Sequence, residues 1–151
     1  MKQAIGPRAT SVALALFLAI PTSWVAAQLA DPLPPVAMYA PSPCPECADW
    51  VKQLRQSGFV VTLEEKPPVN MSRMKRWLNV PSQLESTHTA RVAGYFIEGS
   101  VPVEDILRLL KEKPLARGLG VSAVPGNAPG QEKFNTLLVA PDGLTRVYAA
   151  H

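Results

Sequence analysis

The spacing of apolar residues predicts a short strand followed directly by an α-helix. Residues 36–40, VAMYA, are mostly apolar and bounded by turn-forming residues, which is typical of a strand. After Glu46 the apolar side chains recur at intervals of three and four residues, at Cys47, Trp50, Val51 and Leu54. These positions share one face of a helix that we expect to end at Gly58. The chain's two cysteines, Cys44 and Cys47, therefore lie where the strand gives way to the helix.

The remaining pattern predicts an α/β domain. Short apolar or β-branched runs predict strands at 59–63, 90–92, 95–98, 136–139 and 145–149, and helical spacing predicts helices at 70–78 and 102–113. Residues 115–134 contain several glycines and prolines and predict a long loop. The order βαβ-α-ββα, followed by that Gly/Pro loop and a C-terminal β-hairpin, indicates a thioredoxin- or glutaredoxin-like domain.

The N-terminal pattern predicts a cleaved export signal. Lys2 and Arg8 precede the uncharged, mostly apolar run 9–20, and residues 25–27, Val-Ala-Ala, offer a small-residue cleavage site. An uncleaved anchor is the alternative, but the run is shorter than the roughly 20 apolar residues of a membrane-spanning helix. We expect a signal peptide at 1–27, a flexible proline-rich lead-in at 28–35 and a single domain at 36–151. A signal of this kind indicates export to the bacterial periplasm, with release outside the cell as the alternative.

Removal of the predicted signal peptide lowers the net positive charge of the chain, which bears on the partners that it can bind. The whole chain carries 15 Lys and Arg against 12 Asp and Glu, and losing Lys2 and Arg8 lowers its formal net charge from +3 to +1. Binding to nucleic acid requires a dense cationic surface, which this balance does not indicate. We therefore expect no nucleic-acid partner and, after cleavage, no membrane association. Export also places the cysteine pair in an oxidising compartment.

The cysteine pair supports three interpretations. At a helix start, free N–H groups and the helix dipole favour a thiolate at Cys44, whereas Cys47 lies one turn later on the apolar face. Two such thiolates can bind a soft metal ion. Alternatively, Cys44 attacks a partner's disulfide and Cys47 resolves the mixed disulfide, which would make both residues catalytic in a thiol–disulfide oxidoreductase. The third interpretation is a permanent structural disulfide in a non-catalytic scaffold.

The two histidines differ in what they can contribute. His88 lies in the loop before the third predicted strand. In a thioredoxin-like fold this loop faces the start of the cysteine helix, so His88 is a candidate third metal ligand or a proton carrier near Cys44. The alternative is an exposed loop histidine. His151 is expected to be a solvated tail residue. Met38, Trp50 and Trp77 are expected to lie in the core.

The sequence resembles a known family over nearly its whole predicted mature part. The matching segments are VAMYAPSPCPECADWVKQLRQSGFVV, LNVPSQLESTHTARVAGYFIEGSVPVEDILRLLKEKP, GLGVSAVPGNAPGQ and LLVAPDGLTRVYAAH. They resemble the small exported proteins of the CopG type. The resemblance implies a thioredoxin-like fold and a metal-binding role linked to copper resistance.

The resemblance also implies which residues bind metal. Cys44 and Cys47 match the outer cysteines of the family's Cys-x-Cys-Cys motif, and His88 matches its histidine, so we expect these three to bind Cu(I). Several sulfur positions of the family are replaced, by Glu46, Thr87, Val124 and Gln131. A single ion is therefore easier to bind than a copper cluster with bridging thiolates. The expected role is metal buffering or transfer rather than catalysis, with periplasmic metal-handling or disulfide-exchange proteins as candidate partners.

Overall fold

In the computed structural model, residues 31–124 and 133–151 are described, and they contain three α-helices and a seven-stranded sheet. The elements are β1 (Val36–Ala40), α1 (Pro45–Gln56), β2 (Val61–Glu65), α2 (Pro68–Trp77), a 3-10 turn (Ser82–Leu84), β3 (Thr89–Val92), β4 (Tyr95–Glu98), α3 (Val103–Glu112), β5 (Gly118–Ala123), β6 (Phe134–Val139) and β7 (Thr145–Ala150). The predicted signal peptide and residues 28–30 of the predicted lead-in lie outside the described residues. Leu33, further along that lead-in, packs against the main core.

One mixed sheet connects all seven strands. Their order is β2-β1-β3-β4-β5-β6-β7, with β1 parallel to β2, β4 parallel to β5, and the other neighbours antiparallel. This confirms a mixed α/β domain. Within the described part of the chain, no helix has the length and apolar character needed to cross a membrane.

The predicted long loop at 115–134 is wrong for residues 118–123, which form β5, and for Phe134, which begins β6. Residues 125–132 of that predicted loop lie outside the described residues. Strand β5 pairs in parallel with β4 and antiparallel with β6, so it is an interior strand of the sheet with a neighbour on each side. Gly118 is required there because a Cβ atom at this position would overlap the backbone carbonyl of Phe96 on β4. A glycine inside a strand marks such a close approach of two backbones, and the sequence pattern alone presented it as a loop signal.

Two β-hairpins agree with the sequence prediction. β3 and β4 are joined by Ala93 and Gly94, which have φ angles of 48° and 89°. Two consecutive residues with positive φ form the kind of tight turn that matches the twist of a hairpin. β6 and β7 pair antiparallel across the predicted Pro-Asp-Gly turn, where the Ala140 N–H donates to the Leu144 carbonyl at 2.8 Å.

The main core lies between the sheet and the apolar face of α1. The buried residues of β1 alternate, as expected for a strand, and the predicted inward face of α1 is buried in the same cluster; these residues are Val36, Met38, Ala40, Cys47, Trp50, Val51 and Leu54. The first strand and helix therefore pack as their sequence pattern predicts, and this packing fixes the position of Cys47.

The inward face of α2 differs from the prediction. Trp77, expected in the core, is 67% exposed, and its ring contacts the guanidinium of Arg91 at 5.2 Å. Met71 and Lys75, one turn apart, are the buried residues of this helix. The helix is therefore rotated relative to the predicted apolar face, and the reason is a buried acidic partner for Lys75 on β4.

Candidate metal centre

The cysteine pair lies at the N-terminus of α1. The chain leaves β1 at Ala40, and Cys44 is the N-cap residue of the helix, followed by Pro45 in its first turn. The Cys47 N–H donates to the Cys44 carbonyl at 3.1 Å. Cys44 is half-buried, whereas Cys47 is buried, which is the difference in exposure that the sequence predicts. The two sulfurs form a disulfide, with the Cα atoms 5.3 Å apart.

His88 is buried rather than exposed in a loop. Only 2% of the residue is accessible, although it lies directly before β3 in a segment without regular structure. Its carbonyl accepts a hydrogen bond from the Gly99 N–H at 3.1 Å. Its ring packs against Trp50 of α1, with the ring centroids 5.0 Å apart and the planes inclined by 40°. The exposed-loop alternative for His88 is therefore wrong.

The fold brings the three predicted ligands together. One ligand atom each from Cys44, Cys47 and His88 lies within 4.8 Å of the other two. Two sulfurs come from the start of α1, and the imidazole comes from the segment before β3. The cysteines follow β1 and His88 precedes β3, and these two strands are neighbours in the sheet. Their pairing therefore brings together residues that are distant in the sequence.

The imidazole of His88 has no hydrogen-bond partner at either ring nitrogen among the described residues. Burial lowers its pKa below the usual 6.5, and the positive charge of Lys75 lowers it further, while Glu46 and the Gly99 backbone oppose the shift. A neutral imidazole retains a free lone pair, which is the form that binds a metal ion. The surroundings of His88 therefore favour the neutral form of its side chain, which is the form able to bind a metal ion.

A buried polar network adjoins His88, and sequence reasoning missed it. Lys75 forms an ion pair with Glu98, and both side chains are almost fully buried. Glu98 also accepts hydrogen bonds from the Ser86 N–H at 2.7 Å and the Thr89 hydroxyl at 2.7 Å. The sequence indicates this network only weakly, through the position of Lys75 four residues after Met71 on the same face of α2. Its partner Glu98 lies 23 residues away, so no local pattern reveals the pair.

Trp50 has a polar role besides its place in the core. Its indole N–H donates to the carbonyl of Val101 at 2.8 Å, which ties α1 to the segment preceding α3. Met38 is buried as predicted. Glu46, between the two cysteines, is exposed in the first turn of α1 and does not belong to the group of clustered ligand atoms.

His151 is exposed as a residue, as the sequence predicts, but its side chain is not free in solvent. Its side chain is 23% exposed, and its Nε2 atom lies 2.8 Å from a carboxylate oxygen of the buried Asp105. Its ring stacks on Phe134 with centroids 4.8 Å apart. His151 is absent from the cluster formed by the cysteines and His88, so the two histidines have separate environments.

Comparison with known proteins relates the chain to copper resistance proteins. A family model described as a protein of unknown function, DUF411, matches residues 84–131, which include His88. Two solved structures, described as forms 1 and 2 of the copper resistance protein copG, are similar over most of their length. Form 1 is 29% identical with a TM-score of 0.68 and covers 79% of this chain and 98% of its own. Form 2 is 31% identical with a TM-score of 0.69, and the match covers 80% of this chain and 99% of its own. Among curated proteins, no sequence matches significantly.

Proposed function

Because the chain belongs to the CopG family of copper resistance proteins, we propose that it binds one Cu(I) ion through Cys44, Cys47 and His88. The observation that carries this proposal is the buried imidazole of His88, which has no partner at either nitrogen and lies within 4.8 Å of the two sulfurs. A buried polar atom without a partner costs free energy, and such atoms in native proteins call for an explanation. A metal ion bound to this ring would supply it.

The donor set fits a soft ion. Thiolate and imidazole groups are ligands that Cu(I) accepts, and two sulfurs and one nitrogen suit three-coordinate binding. The chain has only these two cysteines, and the resemblance to the family implies sulfur at the positions that Glu46 and Thr87 occupy here. Without additional bridging thiolates, we expect one ion per chain rather than a cluster.

Copper binding requires the reduced cysteines. A dithiol reductant supplies two electrons and two protons by thiol–disulfide exchange, so that it becomes a disulfide while Cys44 and Cys47 become thiols. Each of the two thiols then loses its proton when its sulfur binds the ion. The copper is cargo: the proposed role is buffering the ion or passing it to another metal-handling protein, with no turnover by this chain.

The test is a titration of the reduced chain, residues 28–151, with Cu(I) in competition with a chelator. We expect one ion per chain, loss of binding in Cys44→Ser and weaker binding in His88→Ala. His151→Ala is the matched control because it removes the chain's other histidine, which lies outside the site, and it should bind as the wild type does. No binding by the wild type, or unchanged binding in Cys44→Ser, would overturn the proposal and leave a structural disulfide.

A thiol–disulfide oxidoreductase is the second candidate. It is favoured by the half-buried Cys44 at the helix start, followed by the buried Cys47, which is the arrangement expected of attacking and resolving thiols. Enzymes of this kind that share the thioredoxin-like fold usually have a cis-proline before the third strand, and here that segment, 86–88, is Ser-Thr-His. Catalytic reduction of insulin by the wild type, together with an absence of copper binding, would favour this candidate.

We also propose that the first part of the sheet is thioredoxin-like. Support comes from the order β2-β1-β3-β4, in which β1 and β2 are parallel, β3 is antiparallel to both β1 and β4, and helices follow β1, β2 and β4. β5, β6 and β7 then extend this unit at one edge.

Export to the periplasm is the proposed localisation. It rests on the apolar run 9–20 and the Val-Ala-Ala sequence at 25–27. N-terminal sequencing of the protein recovered from the periplasmic fraction should give Gln28 as the first residue. A protein retained in membranes with Met1 intact would contradict the proposal.

A further inference from the structure

We propose that Lys75 and Glu98 are positioning residues of the metal centre, because their buried ion pair holds the segment 86–89 so that His88 faces Cys44 and Cys47. Neither residue belongs to the group of clustered ligand atoms. The role of the pair in copper binding rests on the proposed function, whereas its hold on His88 stands on the contacts alone.

The Glu98 carboxylate is the centre of the network. It lies at the end of β4 and is fully buried, and Lys75 reaches it from α2. One carboxylate oxygen accepts from the backbone N–H of Ser86 at 2.7 Å and lies 3.1 Å from the Ser86 hydroxyl. The other oxygen accepts from the Thr89 hydroxyl, which in turn accepts from the Lys75 ammonium at 2.8 Å. Both carboxylate oxygens are therefore engaged.

His88 lies between the two residues that this carboxylate anchors. Ser86 is two residues before it and Thr89 is the next residue, and the Ser86 hydroxyl also lies within 3.1 Å of the His88 carbonyl. The residue after Glu98, Gly99, donates its N–H to the same carbonyl at 3.1 Å. The backbone of His88 is thus fixed on both sides by contacts that converge on the end of β4, and its ring is left to pack against Trp50.

The cost of this arrangement argues for a role beyond packing. Desolvating two charges is expensive, and a buried ion pair is often no more stabilising than apolar residues of similar volume. Here the lysine and carboxylate side chains are only 5% and 0% exposed, and the network surrounds the one segment that carries the imidazole ligand. Groups that orient a metal ligand typically change metal affinity about 10- to 100-fold when they are removed.

The test is a cycle of variants measured by Cu(I) competition with the reduced chain. Lys75→Met/Glu98→Gln removes both charges together, and it is combined with His88→Ala. Lys66→Met/Glu64→Gln makes the same chemical change at an ion pair whose side chains are 30% and 48% exposed, and it is the matched control. In the metal-free protein, the nuclear Overhauser effect between the rings of His88 and Trp50 reports the position of the imidazole directly.

We expect the buried-pair variant to lower Cu(I) affinity about 10- to 100-fold when His88 is present and less than about threefold when His88 is alanine. The exposed-pair control should change neither affinity nor the ring contact. If the buried-pair variant does not fold, Thr89→Val replaces it, because it keeps the ion pair and removes only the hydroxyl through which Glu98 anchors the residue after His88.

The outcomes separate this inference from the proposed function. An equal loss of affinity with and without His88, or no loss at all, overturns the positioning role while copper binding by the wild type stands. If the wild type binds no copper, the proposed function fails, and the metal-free ring contact then decides the hold on His88. A His88–Trp50 contact that persists in the buried-pair variant overturns that hold, and its loss supports it.

Discussion

The ring of His88 lies against the indole of Trp50, and the same indole donates its N–H to the carbonyl of Val101. Trp50 therefore joins three parts of the fold: α1 with its cysteines, the segment before β3, and the segment before α3. Trp50 therefore packs beside the candidate metal centre, and its contribution to the free energy of unfolding can be measured separately from metal binding.

Trp50→Phe should destabilise the fold by about 1–3 kcal/mol, because it leaves the buried carbonyl of Val101 without its donor. Urea unfolding of the metal-free protein measures the change. Trp77→Phe is the matched control, since Trp77 is 67% exposed, and it should cost less than about 1 kcal/mol through its contact with Arg91. Equal effects at the two positions would contradict the assigned role of Trp50.

Lys75→Met alone should lower the free energy of unfolding more than Lys75→Met/Glu98→Gln does. Removal of one partner leaves the buried Glu98 carboxylate without a counter-charge, which typically costs about 3–5 kcal/mol. The double variant removes both charges and retains an amide that can still accept the Ser86 N–H. Chemical denaturation of the three proteins should therefore rank the single variant as least stable. A single variant as stable as the double would mean that the pair contributes no electrostatic coupling.

Gly118→Ala should cost about 3 kcal/mol or more, because the new methyl group would overlap the Phe96 carbonyl and force β4 and β5 apart. Gly94→Ala provides a comparison. Gly94 has a φ of +89° but open space around it, so alanine there meets only backbone strain of about 1–2 kcal/mol. Thermal unfolding should place Gly118→Ala well below Gly94→Ala, and the reverse order would argue against the close approach of the two strands.

Stability should fall with acidification through His88. Its folded-state pKa lies below the 6.5 of an unperturbed histidine, chiefly through burial and then through Lys75, with Glu46 opposing. The unfolded chain therefore takes up this proton first, so the stability contributed by the neutral imidazole is complete above about pH 6.5 and declines as pH falls below it.

The check is urea unfolding of the metal-free, disulfide-bonded protein at about pH 7.5 and about pH 5.5. Wild type should lose more stability between these conditions than His88→Gln, whose side chain does not titrate. An equal loss in both proteins would show that the imidazole is not held in its neutral form.

The sequence was sufficient for those parts of the site that depend on local pattern. Alternation in β1 and three-to-four spacing in α1 predict both elements, and they explain why Cys47 is buried while Cys44 is half-buried. The start of a helix is a local property, so the position of the cysteines needs no knowledge of the rest of the chain.

The parts that sequence reasoning missed depend on distant neighbours. Lys75 is buried because it forms an ion pair with Glu98 on β4. Gly118 is needed in its strand because the backbone of Phe96 lies too close for any side chain at this position. His88 is buried because α1 places Trp50 over it. In each case the deciding partner is more than 20 residues away, beyond the reach of periodicity.

The two-residue turn at Ala93 and Gly94 fixes the pairing of β3 with β4, in which Thr89 stands opposite Glu98. A slip of one residue would send alternate side chains to the opposite face of the sheet and separate the carboxylate from the residues flanking His88. The length of that turn, at the far end of the hairpin, therefore constrains the geometry of the candidate metal centre.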